Sequence, residues 1–370
     1  MRRAPLLVLL SMLLALGQCG RSGNTTDTLS SSTEGGLGQN LLVKVSGELA
    51  YKHPGWNDYL PLTFGIALVR GDLLEVAPDG EGLLVCADLS LAPLEAGYLG
   101  GLPCPERNPV LTRGDSLVIA PQRGVATGDS IPLLLQPRHT FVREAHPLIR
   151  WTPSDTGDTL YTVRVWGSDV DWQTQTAAAE IRYPEEAPPL TTGIGYRITI
   201  TDGSGRSSDQ EATALDLGFV LLTADQITAV DRLLQQVRAL NLDDEGTRLV
   251  EAEILVSQGL RADAITTLAE LVARDGAPTI VQRLGEQYVE IGLYTQARPA
   301  LQAAAAGFRS LGNRAEEAAA LAGLGLAQRG DNDEASARAS LEQARDLYQD
   351  LGDVDGARRV VQVLQDLGGK

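Results

Sequence analysis

Three histidines, three cysteines and one short acidic run are the residues of this chain best equipped for chemistry. His53, His139 and His146 are scattered, and none stands beside a candidate nucleophile; there is no Gly-x-Ser-x-Gly elbow. No glycine loop ends in Lys-Ser or Lys-Thr to cradle a phosphate, and no His-Glu-x-x-His pair offers zinc ligands on one helix face. The run Asp331-Asn332-Asp333-Glu334 begins as a calcium loop does, but the glycine and the closing glutamate are missing at the offsets that coordination needs. It suits a solvated turn between helices. Arg70-Gly71-Asp72 and Arg113-Gly114-Asp115 each spell an adhesion tripeptide, yet both fall where a turn enters an apolar strand, so turn chemistry accounts for them. The expectation is a chain with no catalytic residues, no metal and no cofactor.

The first cysteine has a different logic. Arg2 and Arg3 precede an apolar run from Pro5 to Leu16, too short to span a bilayer and of the length of a secretory signal core. The run ends Leu16-Gly17-Gln18-Cys19, which resembles the bacterial lipobox, and that resemblance implies lipidation of Cys19 after residues 1–19 act as the signal. Residues 20–39 are rich in Ser, Thr and Gly, the composition of a flexible tether that holds a domain off a membrane. The alternative is an ordinary cleaved signal and a soluble exported protein. Export favours oxidation of Cys86 and Cys104. A bridge between them closes a loop of 18 residues and is worth about 3 kcal/mol in the chain-entropy account. A metal site there would need more ligands than the sequence offers nearby.

Most of the rest is scaffold. The net charge of −17 excludes the clustered cations that nucleic acid demands, and 43% hydrophobic residues indicate folded domains rather than disorder. In the last third, Leu284-Gly285 leads through Tyr288 and Gly292 to Ala297, Leu301 and Ala304. Small residues at Gly285 and Ala297 let two helices approach, while Tyr288, Leu301 and Ala304 fall on apolar faces and Gly292 makes the turn. The pattern recurs upstream at Ala252 and Ala264, and downstream at Gly325, Ala337, Leu341 and Ala344; Ala264 and Ala297 are 33 apart, Ala297 and Ala337 are 40 apart. This resembles the tetratricopeptide repeat family over about 243–351. Flanking helices are expected at 224–240, capped by Thr223, and at 354–367. The resemblance implies a curved inner surface lined by the first helix of each pair, with Arg283, Gln287, Glu290, Arg314, Glu317 and Gln328 as candidate lining residues for a protein or peptide partner.

Two β-rich segments precede the repeats. Short apolar runs at 41–45, 60–64, 72–76, 82–86 and 116–120 are separated by turn residues. Val45-Ser46-Gly47-Glu48-Leu49 followed by Gly65 to Leu74, with its Gly71-Asp72 turn, resembles FecR-type extracytoplasmic domains, which implies a role in cell-surface signalling. Strands are expected next at 147–151, 161–166, 178–183, 196–201 and 218–222, with Asp202 to Arg206 as a hairpin turn. Trp151, the alternating strand from Tyr161 and the Leu190-x-x-Gly193-x-x-Tyr196 segment resemble a fibronectin type III or immunoglobulin-like sandwich. The fold class expected is thus multidomain α+β: a FecR-like β domain over 40–125, an immunoglobulin or fibronectin-like sandwich over 131–222, and an α-helical tetratricopeptide-like solenoid over 223–370. Two functions fit. One is a lipid-anchored, non-enzymatic adaptor that recruits a protein through the repeats. The other is an envelope sensor whose first β domain binds a ligand and signals through them.

Overall fold

The computed structural model describes residues 37–105, 131–154, 160–211, 218–274 and 276–368. The signal segment, Cys19, most of the tether, the 116–120 run and the tripeptide at 113–115 lie outside these.

The first β unit contains β1 (Asn40–Ser46), β2 (Leu49–Lys52), β3 (Leu60–Pro61), β4 (Ala67–Leu68), β5 (Leu73–Val76), β6 (Glu81–Val85), β7 (Leu91–Leu94) and β8 (Leu99–Gly101). They form two antiparallel sheets, ordered β4-β1-β6-β7 and β3-β2-β5-β8. Alternation sets the faces: Leu74 and Val76 point into a core shared with Leu42, Leu49, Tyr51 and Leu84, while Leu73 and Glu75 point out. The run expected at 60–64 pairs only over its first two residues, because Pro61 has no N–H to extend a ladder and Gly65 turns the chain at φ +80°. Asp72 is buried, accepting from the Val69 N–H at 2.8 Å and lying 2.6 Å from His53 Nδ1, so this Arg-Gly-Asp is a turn and not an adhesion tip.

Cys86 and Cys104 are joined as a disulfide. One follows β6 in the first sheet and the other follows β8 in the second, so the bond ties the two sheets together. Reduction is expected to lower the unfolding free energy by about 3 kcal/mol, read as a fall in urea midpoint under dithiothreitol; an unchanged midpoint would show that the sheets hold without the tie.

The second β unit contains β9 (Leu134–Gln136), β10 (Thr140–Val142), β11 (Leu148–Trp151), β12 (Tyr161–Trp166), β13 (Asp171–Thr176), β14 (Glu180–Arg182), β15 (Gly195–Asp202) and β16 (Gly218–Leu221). A five-stranded sheet, β10-β16-β15-β12-β13, and a three-stranded sheet, β14-β11-β9, share one core of Trp151, Tyr183, Tyr196, Ile149, Val163, Val165, Ile198 and Ile200. Buried aromatic hydroxyls are satisfied: Tyr161 accepts from the Ser154 N–H at 3.0 Å, and Tyr196 accepts from Thr191 at 2.7 Å and donates to Asp169 at 3.1 Å. Strand β13, with Gln and Thr at most of its positions, carries too little apolar signal to be seen in the sequence.

Eight helices follow among the described residues: α1 (Ala224–Ala239), α2 (Asp244–Ser257), α3 (Arg261–Arg274), α4 (Pro278–Glu290), α5 (Tyr294–Leu311), α6 (Arg314–Gly330), α7 (Glu334–Leu351) and α8 (Val354–Gly368). A capping box between Thr223 and Gln226 starts α1. Left-handed glycines at 292, 312 and 352 turn the chain between helices, with φ of 74°, 72° and 81°. One close approach repeats. A Cβ on Gly285 would meet Leu301 Cγ at 2.7 Å, and one on Gly325 would meet Leu341 Cγ at 2.6 Å. The same small-against-leucine spacing recurs at Ala252 and Leu268, both fully buried. Ala297, Leu301, Ala304, Ala337, Leu341 and Ala344 are all fully buried, and Tyr288 bridges the two helical core clusters from a half-buried position.

Candidate protein-interaction surface

Helices α2 and α4 run between the two β units, and α6 and α8 also start against the first. Their amino-terminal ends meet the first. Thr279 donates to the Phe64 carbonyl at 2.7 Å, Asn313 donates to the Pro61 carbonyl at 2.8 Å, and the buried Glu316 accepts from the Tyr51 hydroxyl at 3.1 Å. The turn before α8 joins them: Asn57 donates to the Leu351 carbonyl at 2.8 Å and Trp56 Nε1 to Asp353 at 3.3 Å. Apolar continuity is complete here, since Leu41, Val43 and Ala67 share one core with α1 to α4.

The opposite ends of α2 and α4 meet the second unit. Phe141 donates its N–H to Gly259 at 2.9 Å and packs so closely that a Cβ on Gly259 would meet its ring at 2.7 Å. Arg138 is buried; it holds Glu211 through two 2.7 Å hydrogen bonds and donates to the Ile291 carbonyl, at the end of α4, at 2.5 Å. Arg143 reaches Asp263 at 2.9 Å. None of these contacts was visible in the sequence.

These neighbours decide where the six candidate lining residues go. Arg283 is held between Glu253, at 2.6 Å, and the Gly65 carbonyl, at 2.8 Å, so it belongs to the joint with the first β unit. Arg314 is half-buried and pairs with Asp58 of the same unit at 2.7 Å. Glu317 is only 6% exposed and accepts from Arg309 at 2.7 Å on the preceding helix. Gln328 is 9% exposed and accepts from Ser340 at 2.7 Å on the following one. Gln287 is equally buried, and its Oε1 has no hydrogen-bond partner. These five do not line an open wall, because each helix of the stack packs against neighbours on both sides and takes polar positions in with it. Glu290 is half-buried. Burial pushes its carboxyl above the usual range, the Arg261 cation opposes that, and Glu286 adds to it.

A stripe does recur on α4 and α6, and on α4 it lies one position before the expected residues. Thr279, Gln282, Glu286 and Val289 on α4 correspond to Ala319, Ala322, Leu326 and Arg329 on α6, each pair related as Gly285 is to Gly325. On α2 the matching positions are Gly246, Leu249, Glu253 and Val256. The first three are covered: Gly246 lies against Val43, Leu249 against Gly65, and Glu253 accepts from Gln39 at 2.5 Å. On α4, Thr279 is covered as well. From Glu286 onwards the stripe is accessible: Glu286 is exposed, and Val289, Leu326 and Arg329 are half-buried.

Two such hairpins stand in register here. Residues 278–350 match the tetratricopeptide repeat family. The tetratricopeptide units so matched are α4 with α5 and α6 with α7, the same pairs whose Gly-to-Leu contacts repeat. Two solved structures are similar to part of the chain. One, described as a MamA RS-1 ArsTM double mutant, is 21% identical over 38% of this chain and 86% of its own, with a TM-score of 0.29. The other, MamA from residue 41 to its end from Desulfovibrio magneticus RS-1, is 20% identical over 38% and 85%, also at 0.29. No curated protein matches the chain. Among the described residues, no three His, Cys, Asp or Glu side chains are grouped to hold a metal ion, and no helix is long and apolar enough to cross a membrane.

Proposed function

We propose that the chain is an exported, lipid-anchored, non-enzymatic scaffold that recruits a protein partner through the accessible stripe of its tetratricopeptide units. Cys19 carries the anchor in this reading, and the β units, FecR-like and fibronectin or immunoglobulin-like, set the reach and pose of the repeats. The observation that carries it is the stripe itself. Glu286, Val289, Leu326 and Arg329 combine apolar surface with charges of both signs and keep part of that surface accessible, whereas Glu253, the position on α2 that matches Glu286 and Leu326, accepts from Gln39 beside the first β unit. An extended or helical peptide segment with matched charges suits such a strip.

The contacts between the first β unit and the starts of α2, α4 and α6 also support the sensor alternative, since a ligand that shifted that unit would press directly on the repeat. Crosslinking capture from intact cells separates the readings. Val289→Arg with Leu326→Glu should reduce partner recovery by about tenfold, the equivalent of 1.4 kcal/mol, while Cys19→Ala should move the chain from the detergent fraction to the soluble one. Recovery unchanged by the stripe variants would sink the scaffold reading; detergent-dependent release of Cys19→Ala would sink the anchor.

A further inference from the structure

Strand β13 is an undefended sheet edge. An edge strand offers unpaired N–H and C=O groups to any strand that can lie beside it, and folded proteins blunt such edges with short length, proline, bulges or cover. The other edges here are blunted. Strands β3 and β4 have two residues each, and β3 includes Pro61. Strand β7 contains Pro93, and β8 has three residues, two of them glycine. Strands β9 and β14 also have three, and Pro137 follows β9 at once. Strand β10 is short and its outer side is occupied, because the Phe141 N–H bonds to Gly259.

Strand β13 has none of these devices. It has six residues, Asp171 to Thr176, paired to β12 without a register break, and none of the six is buried. It contains no proline, no glycine and no lysine. Its one charge is already answered, since Arg164 grips both oxygens of Asp171 at 2.7 Å. That clamp holds the Asp171 carboxyl below its ordinary range. Trp172 is fixed edge-on against Tyr183, with ring centroids 5.0 Å apart, so the strand is held straight from its inner face. Among the described residues no backbone hydrogen bond reaches its outer side.

The geometry points to a second copy of this chain as the occupant, added antiparallel to β13 about a two-fold axis at Thr174. Directly opposed residues of an antiparallel pair share a face. With the axis at Thr174, Gln173 opposes Gln175 of the other copy on the outer face, and Trp172 opposes Thr176 on the inner one. Each amide has an amide partner and no like charges meet. The interface is isologous and closes at two copies, because joining uses the only open edge each copy has among its described residues. The product is a continuous ten-stranded sheet, five strands from each chain. It presents two sets of repeats from one particle, which raises the effective concentration of the second binding event for any partner with two attachment points.

The test uses the full chain with Cys19→Ala, which removes the one thiol outside the disulfide. Sedimentation equilibrium should give twice the chain mass. Gln173→Lys with Gln175→Lys sets lysine against lysine twice across the axis, touches only exposed side chains, and should return the mass of a single chain with an unchanged circular dichroism spectrum. Independently, Thr174→Cys should crosslink to itself nearly completely under mild oxidation, while Gln302→Cys, exposed on α5, should not. A single-chain mass for the parent protein, a dimer that survives both lysines, or equal crosslinking at the two cysteine positions overturns the proposal.

Discussion

Arg138→Met should lower the unfolding free energy by about 3–5 kcal/mol, the cost of breaking a buried ion pair from one side. The pair is closed in on both sides: the Arg138 side chain is 3% exposed and that of Glu211 10%. In the native chain the guanidinium makes two parallel 2.7 Å hydrogen bonds to that carboxylate. Its Nε also serves the Ile291 carbonyl at 2.5 Å. Methionine fills much of the same volume but answers neither group. The carboxylate is left short of its counter-charge, and a carbonyl at the end of α4 loses both a donor and the positive charge that favours a helix carboxyl terminus. The double variant with Glu211→Leu should recover most of the loss, because two apolar groups of similar size replace a desolvated pair. Urea unfolding followed by circular dichroism measures both. A single-variant loss below about 1 kcal/mol would place the pair in the class of wet surface bridges.

That same side chain shows what the sequence could not reveal. Arg138 sits beside Pro137 in an irregular stretch, with no periodicity to say that it points inward, and its partners are 73 and 153 positions away. The helices were legible because each carries its own evidence: a 3.6-residue apolar period, a cap such as Thr223 with Gln226, and small residues where the neighbouring helix must come close. The repeated Gly285 and Gly325 contacts were therefore foreseeable one hairpin at a time. The lining residues were not. Gln287, Glu317 and Gln328 are polar, and polarity on a helix usually marks the wet face. In a stack, however, the first helix of each pair touches the preceding pair, its own partner and the next. Helix α6 buries Ala315, Glu316, Glu317, Ala318, Ala320, Leu321, Ala322 and Leu324 in near-continuous succession. When almost the whole circumference is in contact, residue type no longer separates inside from outside, and only the repeat offset between Gly285 and Gly325 identifies the accessible stripe. The β units show the complementary effect. Strands β12 and β15 alternate and were read from the sequence, whereas β13 is paired on one side only and faces water, so selection for apolar residues leaves no mark on it.

The second large effect concerns Leu301, whose truncation changes the sign of a substitution at Gly285. Leu301→Ala should cost about 2–5 kcal/mol, the sum of lost transfer energy and the cavity left between α4, α5 and α6. The side chain is fully buried and fills the space above two glycines: it approaches a Cβ position on Gly285 to 2.7 Å and one on Gly323 to 3.1 Å. Gly285→Ala alone should also destabilise, by about 1–3 kcal/mol, since the new methyl enters that same space and packed helices cannot simply part. With Leu301 already cut to alanine the obstacle is gone. The next neighbour is Ala300 Cβ at 3.4 Å, an ordinary contact. In that background Gly285→Ala should be neutral or stabilising, because alanine is the better helix former by about 1 kcal/mol. The cycle thus predicts a coupling of about 1–4 kcal/mol between two residues that are 16 apart in sequence and belong to different helices. Strictly additive losses would mean that Gly285 is small for its own helix and not for its neighbour's leucine, and the close approach that puts α4 and α6 in register would need another cause.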